Sequence, residues 1–119
     1  MPSVAVIGAS QDRAKYGNRA VRAYLRQGWT VYPVNPNVRE VEGLPAYARI
    51  GDIPGAVDRA SLYVPPAVGV TLLPEIRGKG VRELFVNPGA ESDALVAEAE
   101  RLGLEPVLAC SIVDIGERP

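Results

Sequence analysis

A continuous apolar run, Val4-Ala5-Val6-Ile7, stops at Gly8. It is followed by Ala9, Ser10, a polar loop from Gln11 to Tyr16, and a second glycine, Gly17, which with Asn18 opens an amphipathic stretch. A β-branched run of strand length that ends at a glycine reads as a buried parallel strand leaving through a tight turn. A helix that starts just beyond such a turn aims its first backbone N–H groups at whatever lies above the strand, the arrangement that wraps a phosphate. The dinucleotide fingerprint asks for glycines at the first, third and sixth places of the turn. Ser10 and Arg13 stand at the third and sixth. The stretch therefore predicts a strand-turn-helix phosphate loop without the dinucleotide label.

The rest of the chain alternates strands with helices. Asn18 is placed to cap the first helix, whose core face would be Ala20, Val21, Tyr24 and Leu25, with Arg19, Arg22 and Arg26 on a solvated face and Gly28 closing it. Thr30-Val31-Tyr32-Pro33-Val34 reads as a second strand, where Pro33 loses a ladder bond unless it sits at an edge or a bulge, and Asn35-Pro36-Asn37 as its turn. Between Val38 and Val57, Gly43, Pro45, Gly51, Pro54 and Gly55 leave no room for a full helix. A loop is expected there, with a short extended piece near Leu44 to Tyr47 and one helical turn at Ile50 to Ile53. Ala60 to Val64 reads as a third strand running into Pro65-Pro66. The following helix carries Val68, Leu72 and Ile76 at a spacing of four, and Pro74 should kink or split it. Glu83 to Val86 is a fourth strand. Ser92 caps a helix with Leu95, Val96, Ala99 and Leu102 on its core face, Gly103 closes it, and Pro106 to Ala109 is a fifth strand. This pattern predicts a single doubly wound α/β domain over residues 1–119, a five-stranded parallel sheet with helices on both faces.

In such sheets ligands lie outside the carboxyl ends of the strands. Those ends are Gly8-Ala9-Ser10, Val34-Asn35-Pro36, Tyr63-Val64-Pro65, Asn87-Pro88-Gly89 and Cys110-Ser111, residues suited to close backbone approach and poorly suited to moving protons. The chain has no histidine and one cysteine, which argues against a zinc site and against the commonest general base. Tyr63 and Lys79 are the nearest candidates for a proton-transfer couple, and Lys79, between two glycines, is expected to be solvated. Thirteen basic and fourteen acidic residues give a net charge of −1, so no overall field draws in nucleic acid. No basic leader precedes the first strand and no run approaches the ~20 apolar residues of a membrane span, so a cytoplasmic location is expected.

The second strand of a dinucleotide site would end in an Asp or Glu for the adenosine ribose; here Asn35 stands in that place. Arg39 could instead pair with a phosphate on that ribose, and Lys15 offers a second cation beside a pyrophosphate. Two cations, a helix N-terminus and no ribose carboxylate ask for a phosphorylated adenosine nucleotide, and both coenzyme A and NADP fit.

Val6-Ile7-Gly8-Ala9-Ser10, Lys15-Tyr16-Gly17-Asn18, Val31-Tyr32-Pro33-Val34-Asn35-Pro36, Glu42-Gly43, Asp52-Ile53-Pro54 and Tyr63-Val64-Pro65-Pro66 together resemble the stand-alone CoA-binding domain family. That family is similar to the first domain of the succinyl-CoA synthetase alpha subunit and of ADP-forming acyl-CoA synthetases, and the resemblance runs from about Val4 to Ile115. It implies coenzyme A or an acyl-CoA bound by the first loop, the Asn35-Pro36 turn and the Val64-Pro65 segment. The expected binding residues are Gly8, Ala9, Ser10, Lys15, Gly17, Asn18, Asn35, Pro36, Arg39, Val64, Pro65 and Asn87, with no catalytic residue and no metal ligand. The synthetases' phosphohistidine and ATP-binding domain have no counterpart here, so a binding module is expected. An NADP-binding oxidoreductase domain, a homo-oligomer, or one subunit of a multi-chain synthetase remain as alternatives.

Overall fold

The computed structural model describes residues 2–119. Five parallel strands form the sheet: β1 (Ser3–Ile7), β2 (Thr30–Val34), β5 (Arg59–Leu62), β6 (Glu83–Val86) and β7 (Pro106–Leu108), in the spatial order β2-β1-β5-β6-β7. The first strand lies one in from an edge; the chain steps out to that edge, then returns past β1 to build the other side. The order therefore reverses between β1 and β5, which puts the crevice at their carboxyl ends.

Period-two alternation along β1 sends alternate side chains to opposite layers. Val4 and Val6 join Ala20, Val21, Tyr24 and Ile112 beneath helix α1 (Tyr16–Arg26) and the short α4 (Ser111–Asp114). Ala5 and Ile7 join Leu62, Leu73, Ile76 and Leu95 beneath α2 (Pro66–Gly78), α3 (Asp93–Arg101) and a single 3-10 turn, η1 (Ile50–Asp52). Both faces of the sheet are thus covered, and β1 is buried along its whole length. Each fully buried Val, Leu or Ile contributes roughly 1.5–3 kcal/mol, so the two layers together hold the sheet and fix where its strands end.

Pro33 sits on β2, an edge strand, where its missing N–H costs the sheet no ladder bond. A short parallel bridge from Val34 to Tyr47 then covers the end of that edge, with Tyr47 N–H donating to Pro33 O at 2.9 Å and Asn35 N–H to Tyr47 O at 2.9 Å. The segment expected to be loop contains a hairpin, β3 (Glu40–Val41) and β4 (Leu44–Pro45). Its two-residue turn puts Glu42 at φ 51° and Gly43 at φ 80°, the doubly left-handed turn that suits strand twist.

Several expectations need correction. Leu25 is exposed, and Ala23 takes its place on the buried face of α1. Helix α2 is not split at Pro74; it runs unbroken, with residue 74 on its exposed face. Its buried stripe is Gly69, Leu73 and Ile76, while Val68 is 46% exposed. The Val68-Leu72 row faces a groove. Lys79 is not solvated, since its ammonium donates to the Ile53 carbonyl and so ties the end of α2 to the segment after η1. Ser92 caps α3 as expected, its hydroxyl accepting from Leu95 N–H at 3.0 Å. No helix among the described residues is long and apolar enough to cross a membrane.

Candidate functional site

The exit of β1 is built by close backbone packing. Gly8 has φ 92°, and a Cβ placed on it would lie 2.7 Å from the Tyr63 carbonyl oxygen. A Cβ on Gly17 would lie 2.2 Å from the Gly8 carbonyl oxygen, closer than any side chain tolerates. Two glycines therefore let strand β1, the loop after β5 and the first turn of α1 meet in one place. The loop between them is tied to itself: Ser10 Oγ accepts from Asp12 N–H at 3.0 Å and Asp12 Oδ1 from Ala14 N–H at 3.0 Å. Helix α1 begins with Lys15 in an extended conformation and no side chain capping its first turn. Its N-terminal dipole and N–H groups lie beside the Gly8 turn, an electrostatic setting that favours an anion.

Asn18 is not the cap. It lies inside α1, fully buried, and its amide donates to Ser10 O at 2.8 Å and Glu42 Oε2 at 3.1 Å while its oxygen accepts from Arg22 Nε at 2.8 Å. The helix starts three residues earlier than expected, and Asn18 is used to clamp the loop to the β3-β4 hairpin. Arg22 is thereby held in this network and is not part of a solvated face; it also donates to Arg13 O at 2.8 Å. Gln11 donates to Glu40 O at 2.9 Å, and Arg13 pairs with Glu42 at 3.5 Å, so the hairpin is a strut under the loop.

Asn35 has a similar role on the other side, donating to Ala9 O at 2.8 Å and accepting from Asn37 N–H at 2.8 Å. Asn87, buried at the end of β6, donates to Ser61 Oγ at 2.9 Å and Leu62 O at 2.8 Å and accepts from Ser111 N–H at 2.8 Å. These three asparagines fix the strand ends to one another.

Over this edge lie three adjoining grooves. One, of about 430 Å³, runs from Gly8 past Asn35-Pro36 to Ile50, Val68 and Leu72, with Arg49 and Glu75 the charged side chains on its wall. A second, of about 570 Å³, shares Gly8, Val64 and Pro65 with the first and is bounded by Lys15, Tyr16, Gly17 and the Pro88-Gly89 turn. A third, of about 320 Å³, continues past Tyr16, Tyr63 and Pro88 to Asn87 and Cys110.

Of the residues read from the sequence, Gly8, Asn35, Pro36, Lys15, Gly17, Val64, Pro65 and Asn87 line these grooves. Ala9, Ser10 and Asn18 support the loop from behind. Arg39 lines none of the three; it is exposed before the hairpin, and its carbonyl accepts from Ala46 N–H at 2.9 Å. Arg49 and Glu75 escaped sequence reasoning because η1 and α2 bring them together from 26 residues apart, with Arg49 Nη1 3.7 Å from Glu75 Oε1.

Tyr63 packs between the second and third grooves. Its hydroxyl is buried without a hydrogen-bond partner, and Ser61 lies near it but outside bonding geometry. Burial pushes its ionisation far above the ordinary tyrosine range, so it is a neutral wall and not a base. Among the described residues no three His, Cys, Asp or Glu side chains gather as metal ligands.

The comparisons agree with this geometry. A family model described as a CoA binding domain matches residues 2–115. The alpha subunit of acetate–CoA ligase (ADP-forming) II from Pyrococcus furiosus is 40% identical over 84 residues, which are 70% of this chain and 18% of that protein. Acetate–CoA ligase (ADP-forming) II from Archaeoglobus fulgidus is 38% identical over 107 residues, 87% of this chain and 16% of its own length. The chain thus spans less than a fifth of these relatives. Among solved structures, a conserved hypothetical protein from Pyrococcus furiosus superposes with a TM-score of 0.87 at 37% identity, covering 96% of this chain and 99% of its own. The family model's match over nearly the whole chain leads to one conclusion: this chain belongs to the CoA-binding domain family.

Proposed function

We propose that this protein binds coenzyme A or an acyl-CoA along the carboxyl edge of its sheet, as a cytoplasmic binding module with no chemical step of its own. The observation that carries this reading is the glycine cradle. A side chain at Gly8 or Gly17 would strike backbone, so the two glycines bring the β1 exit against the α1 N-terminus and Lys15, with a groove leaving on either side. A pyrophosphate suits the cradle, where backbone N–H groups, a helix dipole and an ammonium all favour negative charge. The largely apolar groove toward Asn35-Pro36 suits the adenine end, and the grooves past Val64-Pro65 toward Asn87 suit the long uncharged pantetheine arm. Coenzyme A is here a ligand, or a substrate if a partner chain supplies chemistry. That second reading, a CoA-binding subunit of a multi-chain ligase, is favoured by the Pyrococcus furiosus relative, which is itself an alpha subunit. Denaturing the purified protein and weighing the released small molecules tests the assignment: coenzyme A or an acyl-CoA is expected, and NADP in its place would overturn it.

A further inference from the structure

The first groove is mainly aliphatic, with Ile7, Val34, Ile50, Val68 and Leu72 on its walls, and carries its charge at one end in Arg49 and Glu75. Arg49 is 65% exposed and stands between two carboxylates, 3.7 Å from Asp52 Oδ1 and 3.7 Å from Glu75 Oε1. Both distances are too long for hydrogen bonds, so neither carboxylate holds the guanidinium fork. Glu75 is itself engaged elsewhere, accepting from Gly51 N–H at 3.3 Å. Arg39 lines none of the three grooves.

We propose that Arg49 forms a subsite for a phosphate monoester carried on the ribose of the bound nucleotide, reading that phosphate in preference to a bare hydroxyl. The inference rests on the coenzyme-binding reading above and names the residue that sets its selectivity. An adenine lying in the aliphatic slot brings its ribose to the rim, where the loosely held guanidinium can exchange a distant carboxylate for a bidentate contact with phosphate. Glu75 opposes the incoming charge, so the preference for the phosphate over a bare hydroxyl is smaller than Arg49 alone would give. A phosphate of this kind occurs on the ribose of both coenzyme A and NADP, so the test needs both.

Affinities for coenzyme A, dephospho-CoA, NADP and NAD measured by calorimetry on the wild type, Arg49→Ala, Arg39→Ala and Glu75→Gln decide the matter. Both arginines are exposed, so neither variant should disturb folding. The wild type should prefer coenzyme A to dephospho-CoA about tenfold, the low end of the range for a charge-assisted contact because the site is open to water. Arg49→Ala should bring that ratio close to one, Arg39→Ala should leave it, and Glu75→Gln should widen it. An unchanged ratio in Arg49→Ala, or its loss in Arg39→Ala, overturns the assignment while leaving coenzyme binding intact. If NADP is preferred over NAD and binds as tightly as coenzyme A, the parent reading fails while Arg49 keeps its role. If none of the four ligands binds, both readings fail.

Discussion

Replacing Gly17 by alanine adds one carbon where the backbone of the Gly8 turn already stands. The added Cβ would lie 2.2 Å from Gly8 O, 3.1 Å from Gly8 C and 3.3 Å from Ala9 Cα, all backbone atoms of the β1 exit. None of them can swing away as the end of a flexible side chain can. Overpacking of this kind costs about 1–3 kcal/mol and sometimes more, and rigid neighbours put this site at the top of that range. Alanine is the better helix former by about 1 kcal/mol, which leaves a net loss of roughly 2 kcal/mol or more. For a chain of this size that corresponds to a fall in Tm of about 6–12 °C. Gly78→Ala is the internal control: it lies at the end of α2 with nothing within 4 Å of its added Cβ, so the same substitution should be neutral or stabilising by up to about 1 kcal/mol. Urea unfolding of both variants measures the contrast. If Gly17→Ala is as stable as Gly78→Ala, the strand-to-helix contact is not what holds the loop.

Other outcomes follow from single contacts. Lys15→Ala should weaken coenzyme A binding only about twofold to fivefold, because one exposed cation at a helix N-terminus contributes about 0.3–1 kcal/mol; a thousandfold loss in calorimetry would mean the lysine closes over the phosphate. Ser92→Ala should lower the unfolding free energy by about 1 kcal/mol through loss of the α3 cap, and urea denaturation reads it. Asp58 accepts from Ser3 N–H at 2.8 Å and from Ser3 Oγ at 3.1 Å, and these bonds hold its carboxyl below the usual range. Its stabilisation is therefore complete above the unfolded value near pH ~4 and is lost as pH falls through the lower folded value. The stability gap between wild type and Asp58→Asn should be full at pH ~7 and should close as pH falls below the unfolded value in the same assay.

Much of this fold was legible because its signals are local. The β1 run, the Ser92 cap and the glycines at 28 and 103 each declare their structure within a few residues, and of the two places open to Pro33, an edge or a bulge, the fold uses the edge. What stayed hidden depends on partners far along the chain. Asn18 looks like a cap by type and place, yet its partners Ser10 and Glu42 lie 8 and 24 residues away, and that tertiary use moved the helix start to Tyr16. Val68 and Leu72 share the spacing of a core stripe, but α2 has apolar residues on two faces, and only packing decides that Leu73 goes inward and Val68 toward a groove. The short α4 lacked enough residues to show a period. The site divides in the same way: its backbone turns were readable from glycine, asparagine and proline, whereas Arg49 and Glu75 are joined only by folding.

The central claim, that the carboxyl edge of the sheet takes coenzyme A, is tested most directly by thermal unfolding with added ligand. At a concentration 100 times its dissociation constant a ligand that binds only the folded chain adds about 2.7 kcal/mol, a rise in Tm of roughly 10 °C for a domain of this size. Coenzyme A should produce a rise of that order and NAD at the same concentration should produce none. A shift with NAD and none with coenzyme A would contradict the account.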